Sequence, residues 1–157
     1  MNLLKIEDVK NNAHINYKQI LIKAIRHAKS SVVIELLKIE RVKNNAHVEN
    51  NAILLEAVRN LRWDIVVELL KIEAVSNNAH VNDNLVLFLA IEHCIEVALT
   101  LLEIPEVKNN ALLNVNEILS LSIRRCPGAV LKLLEILEVQ NNVHLDGNQI
   151  LQEALIN

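Results

Sequence analysis

One twelve-residue phrase recurs along the chain and restricts what it can fold into. LLKIEDVKNNAH begins at Leu3, LLKIERVKNNAH at Leu36 and LLKIEAVSNNAH at Leu69; LLEIPEVKNNAL follows at Leu101 and LLEILEVQNNVH at Leu133. The steps between copies are 33, 33, 32 and 32 residues. Self-similarity at a fixed period of this length marks a repeat architecture, in which each supersecondary unit buries its apolar face against the next copy.

A second block aligns between the copies. Its apolar anchors are Ile20-Leu21 with Ala24-Ile25, Ile53-Leu54 with Ala57-Val58, Val86-Leu87 with Ala90-Ile91, Ile118-Leu119 with Ser122-Ile123, and Ile150-Leu151 with Ala154-Leu155. Offsets of one, four and five residues place each set on one face of a helix, helix A of the unit. The segment ending in the Leu-Leu pair has the same spacing at Val32, Val33, Leu36 and Leu37, and at Ile65, Val66, Leu69 and Leu70; it is helix B. Asn16 with Gln19, Asn114 with Glu117 and Asp146 with Gln149 have capping-box spacing at the start of helix A. The one-residue deletion in the 32-residue units falls between A and B, around Cys94 and Cys126, where packed faces keep their register; Pro127 falls there too, near the start of a helix B. The Asn pairs at residues 11–12, 44–45, 77–78, 109–110 and 141–142 mark turns from B to the next A, because Asn competes for backbone hydrogen bonds and tolerates left-handed conformation. Stacked turns of this kind are expected to hydrogen-bond one to the next.

Composition agrees with a closely packed helical core. Hydrophobic residues make up 52% of the 157 residues but aromatics only 2%, so the core is aliphatic. Two Gly and two Pro argue against a turn-rich β fold and against a glycine-rich phosphate loop. A net charge of −3 with interspersed signs disfavours nucleic acid as a partner. Two cysteines make no disulfide framework, and neither a signal segment nor an apolar run of membrane-spanning length is visible. These features point to a soluble chain in a reducing compartment, the cytoplasm, without excluding export that needs no cleavable peptide.

The residues resemble the ankyrin repeat. That family has a 33-residue period and two antiparallel helices. Its Leu-then-Ala helix A pattern is matched by Leu54, Ala57 and Val58, and its Val-Val then Leu-Leu pattern in helix B by Ile65, Val66, Leu69 and Leu70. The resemblance covers residues 1–157 as one repeat domain: a partial unit 1–15, repeats 16–48, 49–81, 82–113 and 114–145, and a partial unit 146–157. It implies an all-α solenoid of stacked helix-turn-helix repeats. The family's Thr-Pro-Leu-His start is replaced by Ala52-Ile53-Leu54-Leu55, its interhelical glycine by Leu61 and its loop glycine by Glu73, so an irregular or partly helical loop is the alternative to its hairpin. The L-L-E-I-P-x-V pattern at Leu101 to Val107, with its Asn-rich loop, is similar to degenerate repeats of effectors that intracellular bacteria deliver into the host cytosol.

No motif supports chemistry. His14, His47, His80 and His144 share one repeat position, with Leu112 at the fifth. Equivalent residues of packed helices lie roughly 8–10 Å apart, whereas zinc holds its nitrogens at about 2 Å, so these are expected to be loop histidines. No metal or cofactor is expected. The same spacing exceeds the roughly 7 Å Cα limit for a disulfide between Cys94 and Cys126. A thiol enzyme, or an enzyme subunit, using His93, Cys94 and Cys126 is one alternative function, although helix neighbours do not face each other. A purely structural scaffold is another. Glu35, Glu68 and Glu135 fit the solvated side of helix B.

The resemblance implies a protein-binding module, using the concave face formed by helix A and the loop tips. Repeat-locked positions build the core, and repeat-variable positions are free to specify a partner. One variable line reads Lys23, Glu56, Leu89, Leu121, Glu153; others read Arg26, Arg59, Glu92, Arg124 and His27, Asn60, His93, Arg125; the loop line reads Tyr17, Asn50, Asp83, Val115. Leu89 and Leu121 interrupt a charged line, Phe88 is beside Leu89, and Arg59, Arg124, Arg125 and His93 flank them. An apolar centre with a basic rim suits a protein with an apolar anchor and acidic edge. Trp63, at the A–B turn, reads as a packing residue. The chain opens on the tail of a helix B and closes on a helix A at Leu151 to Ile156. Neither end is capped, which is expected of a fragment, a short array, end-to-end self-association or a bound partner that covers the open end.

Overall fold

The computed structural model describes residues 17–136. They form eleven α-helices and one 3-10 turn, with no strand among the described residues. Contacts divide the chain into two compact units, 1–78 and 79–157, with the cut inside the third Asn-Asn-Ala-His copy.

In the first unit α1 (Tyr17–His27) and α4 (Val48–Arg59) are A helices, and α2 (Ser30–Leu37) and α5 (Trp63–Leu70) are B helices. Short helices α3 (Glu40–Lys43) and α6 (Glu73–Ser76) follow each B helix. Helix α1 packs on α2 and α4, and α5 packs on α2 and α4. In the second unit α7 (Leu85–His93) and α10 (Val115–Arg125) are the A helices. Helix α8 (Ile95–Leu102) is followed by α9 (Pro105–Leu113), and the turn Pro127–Ala129 leads into α11 (Val130–Ile136). There α7 packs on α8 and α10, α9 on α8 and α10, and α10 on α11.

The anchors are where burial is highest. Leu21, Ile25, Ile53, Leu54, Val58, Val86, Leu87, Ile91, Ile118 and Leu119 in the A helices are at most 2% exposed. Val33, Ile65, Val66, Leu69, Leu101 and Leu102 in the B helices are equally enclosed. Each such aliphatic side chain contributes about 1.5–3 kcal/mol when fully buried. The anchor Leu70 is only half-buried, and two anchors are exposed, Ile20 at 37% and Val32 at 43%. Both lie in the first described helix pair, where among the described residues only one following pair packs on them. One A-helix position is always small (Ala24, Ala57, Ala90, Ser122), and all four are buried. The Ser122 hydroxyl donates to Ile118 O at 2.7 Å, which satisfies it within its own helix.

The segment after helix B departs from a hairpin. One extended Ile (Ile39, Ile72, Ile104) breaks the helix and leads into α3, α6 or α9. Glu40, Glu73 and Glu106 sit in the first turns of these helices, where carboxylates complement the helix dipole, and Pro105 opens α9 at a position that tolerates its missing N–H. Val42 with Ala46, Val75 with Ala79 and Val107 with Ala111, four apart, bury this element. Among the described residues the Asn pairs therefore belong to helices rather than to a left-handed turn: 44–45 and 77–78 at helix ends and 109–110 within α9, while 11–12 and 141–142 lie outside the described residues. Asn44 and Asn77 are right-handed C-caps. Asn45 and Asn78 donate to Arg41 O at 2.8 Å and Ala74 O at 2.9 Å, inside their own turns.

Left-handed backbone occurs a few residues later, in triplets. Glu49, Asn50 and Asn51 have φ of 54°, 55° and 56°; Asn82, Asp83 and Asn84, 33 positions on, have 58°, 54° and 59°. The buried Asn51 donates from Nδ2 to Val75 O at 2.8 Å, and the buried Asn84 to Val107 O at 3.4 Å. Loops are thus joined one to the next, by these asparagines and not by the Asn pairs. The third loop has Asn114-Val115-Asn116 at the equivalent place. β-branched Val115 resists the left-handed region, and there α9 runs on to Leu113, with α10 starting after Asn114.

Helix α4 ends in a Schellman turn: Leu61 N–H donates to Val58 O and Arg62 N–H to Ala57 O, both at 2.9 Å. Leu61 takes the left-handed position with φ 55°, a conformation that glycine adopts most readily. Arg62 then reaches the α1–α2 turn, donating to Ile25 O at 2.5 Å, Ala28 O at 3.1 Å and Ser30 Oγ at 2.9 Å. Trp63 is the half-buried first residue of α5. Asn114 precedes α10 but makes no capping hydrogen bond, because its φ/ψ of −122°, 29° ends α9 as it begins α10. Asn16, Asp146, His14, His144, Glu153, the last A-helix anchors and both chain ends lie outside the described residues. No helix among the described residues is long and apolar enough to cross a membrane.

Leu61 is 51% exposed and holds a conformation that costs a side-chain-bearing residue about 1–2 kcal/mol. Leu61→Gly is therefore expected to raise unfolding free energy by about 0.5–1 kcal/mol after glycine's own entropy cost. Urea denaturation of both proteins checks this; a lower midpoint in the variant would contradict it.

Candidate interaction surface

Helix α7, LVLFLAIEH, is apolar on more than one side. Val86, Leu87, Ala90 and Ile91 face the core. Leu85, Phe88, Leu89 and Glu92, at offsets of three, four and seven, form a second stripe that is half-buried. A helix apolar all round is either enclosed or has a partner for its outer side. The equivalents of Phe88 and Leu89 are Ile22 and Lys23 in α1, Leu55 and Glu56 in α4, and Ser120 and Leu121 in α10.

Leu121 is half-buried on α10, which packs on α7. Glu92 closes the stripe at one end. Its carboxylate receives Arg125 Nη2 at 3.0 Å, and His93 Nε2 lies 3.8 Å away. Arg124, one residue earlier, donates to Ser120 Oγ at 2.7 Å along its own helix. Phe88, Leu89, His93, Leu121, Arg124 and Arg125 thus all belong to the α7–α10 pair of the second unit. Arg59, the remaining predicted residue, is exposed at the end of α4 in the first unit. Arg125 does not stand alone as a basic rim, because Glu92 shares its charge. Leu85 and Glu92 were not among the predicted site residues, although helical spacing from Phe88 and Leu89 points to both.

The other candidate groups are separated. His93 is next to Glu92, while Cys94 Sγ lies 3.5 Å from Glu96 Oε2, so the thiol and the imidazole have different carboxylate neighbours. Both cysteines are free and half-buried. His47 and His80 are half-buried in the loops, each with its Nδ1 enclosed. On the B helices Glu35 pairs with Lys38 at 2.6 Å and Glu68 with Lys71 at 2.5 Å, an exposed ion pair repeated at the same place.

In the first unit the variable line is polar. Arg26 grips Glu56 through Nε at 2.6 Å and Nη2 at 3.1 Å. Hydrogen bonding from this guanidinium holds the Glu56 carboxyl below the usual glutamate range, assisted by the Asn60 amide and opposed by partial burial. A carboxyl with a depressed folded value stabilises the fold above its ordinary value and loses that contribution as pH falls through the folded one. Glu56→Gln should therefore lower stability at neutral pH, with the difference from wild type closing on the acid side of the ordinary carboxylate range. Denaturation across pH tests this; a gap that widens in acid would contradict it.

No family model matches the chain, and neither a curated protein nor a solved structure matches it.

Proposed function

We propose that the chain is an ankyrin-like repeat module with helical loops in place of hairpins, and that it binds another protein through the outer faces of α7 and α10. The observation that carries this reading is the second apolar stripe of α7, Leu85, Phe88 and Leu89, whose Leu89 stands where the preceding A helices have the charged Lys23 and Glu56. This stripe is half-buried, whereas Val86, Leu87, Ala90 and Ile91 form the buried core face of the helix. With Leu121 nearby in the pattern and the Glu92–Arg125 pair at its edge, it has the apolar centre and polar border of a recognition surface. Its aromatic and aliphatic members are the anchors; Arg124, Arg125 and His93 orient the partner's polar groups. The 33-residue period and the Ala and Leu-Leu pattern support the ankyrin-like description.

Affinity capture tests this. Leu89→Asp with Leu121→Asp is expected to weaken capture of a partner by at least roughly tenfold, while the thermal midpoint stays within a few degrees of wild type. Leu131→Asp, on the 75% exposed surface of α11, should leave capture unchanged. Equal capture by the double variant, or its unfolding, would remove this surface as the site.

A further inference from the structure

Four buried side-chain atoms have no hydrogen-bond partner among the described residues: His47 Nδ1, Asn51 Oδ1, His80 Nδ1 and Asn84 Oδ1. They fall into two pairs, each a His and an Asn four residues on, at positions 33 apart, one pair in each unit. Within each pair the backbone already closes a turn, since Asn51 N–H donates to His47 O at 3.1 Å and Asn84 N–H to His80 O at 3.0 Å. The two side chains therefore leave from points one turn apart. Both asparagines are wholly buried. Their Nδ2 groups are committed to Val75 O and Val107 O, which fixes the amide orientation and leaves Oδ1 as the unmatched atom.

We infer that each pair holds one internal water molecule, bonded to the imidazole Nδ1 and the amide Oδ1, and that this water locks the left-handed turn. A buried acceptor without a donor costs about 1–3 kcal/mol. Unpaired groups inside a protein call for a water or an ion, and a buried water is held by two to four polar partners. The chemistry selects water over a cation, because one amide oxygen and one ring nitrogen are too few ligands for a zinc or calcium site. Oδ1 only accepts, so the water donates to it. The second water hydrogen is donated to Nδ1 when the ring proton is on Nε2, and the water accepts when the proton is on Nδ1, so either tautomer is served.

The third loop is the built-in contrast. Leu112 replaces the histidine, and the left-handed triplet is gone. Helix α9 continues to Leu113, and Asn116 is only half-buried. Without an imidazole there is no second polar atom for the water, and the chain takes a backbone that needs none.

A crystal structure of the full chain at a resolution that shows ordered solvent tests the inference. One water is expected in each of the first two loops, about 2.7–3.2 Å from both atoms, with none at Leu112. A dry site, a direct imidazole–amide hydrogen bond or side chains turned to bulk solvent would overturn it. In His80→Leu the second-loop water should vanish while the first-loop water stays as the internal reference; a water retained at the second loop would overturn the role of Nδ1. If that variant does not fold, wild-type NMR decides: long-lived water cross-peaks to the His47 and His80 rings are expected, and their absence counts against the inference.

Discussion

Eight-residue helices cannot hold themselves together in water. Helices α2, α5 and α8 are each this long, and isolated helices below about 12–15 residues are marginal even for good helix formers. Every element must therefore be held by a neighbour's apolar face, and the recurring aliphatic anchors supply those faces. In the first unit A helix packs on A helix and B on B; in the second, α7 packs on α10. A small residue at the Ala24, Ala57, Ala90 and Ser122 positions accompanies this packing in every A helix.

The loops follow from the same dependence. Backbone groups that leave a helix have to find partners, because an unpaired buried amide or carbonyl is costly. A single extended Ile, a short third helix and a left-handed triplet account for most of them. The side-chain amides of Asn51 and Asn84 then tie one loop to the carbonyl of the next. With backbone and core satisfied at repeat-locked positions, outward positions are free to vary. The A-helix line that holds Lys23 and Glu56 in the first unit, the latter paired with Arg26 of a neighbouring line, holds the apolar Leu89 and Leu121 in the second. In this account function is a matter of that variable line.

The helices were legible because their evidence is periodic. Leu54, Ala57, Leu69 and their equivalents announce burial by offsets alone, and the structure buries them. Ile20 and Val32 carry the same pattern but are exposed, since periodicity describes a face and not what covers it. The loops were harder to read. Glu40, Glu73 and Pro105 are helix-start signals, yet the Asn pairs behind them read as turns, so that a partly helical loop was only the alternative reading where α3, α6 and α9 form. A loop-to-loop ladder was foreseeable, but not which asparagine forms it: Asn51 and Asn84 are chosen by a left-handed backbone that no single residue type encodes. Leu61 shows the converse, a left-handed geometry that glycine favours, held by a leucine that does not announce it. For the surface, Leu89 and Leu121 were visible as interruptions of a charged line, with Phe88 beside Leu89, whereas the Glu92–Arg125 pair needed three-dimensional placement.

Residue-resolved amide hydrogen exchange tests the central claim, that one local structure is rebuilt at each period. Protection should peak in the A and B helices around Leu54, Leu69, Leu87, Leu101 and Leu119. It should fall at 49–50 and 82–83, just before the buried and hydrogen-bonded amides of Asn51 and Asn84, so that the profile of these units repeats at the sequence period. A profile without that period, or one in which 49–50 and 82–83 are as protected as the helices around them, would contradict it.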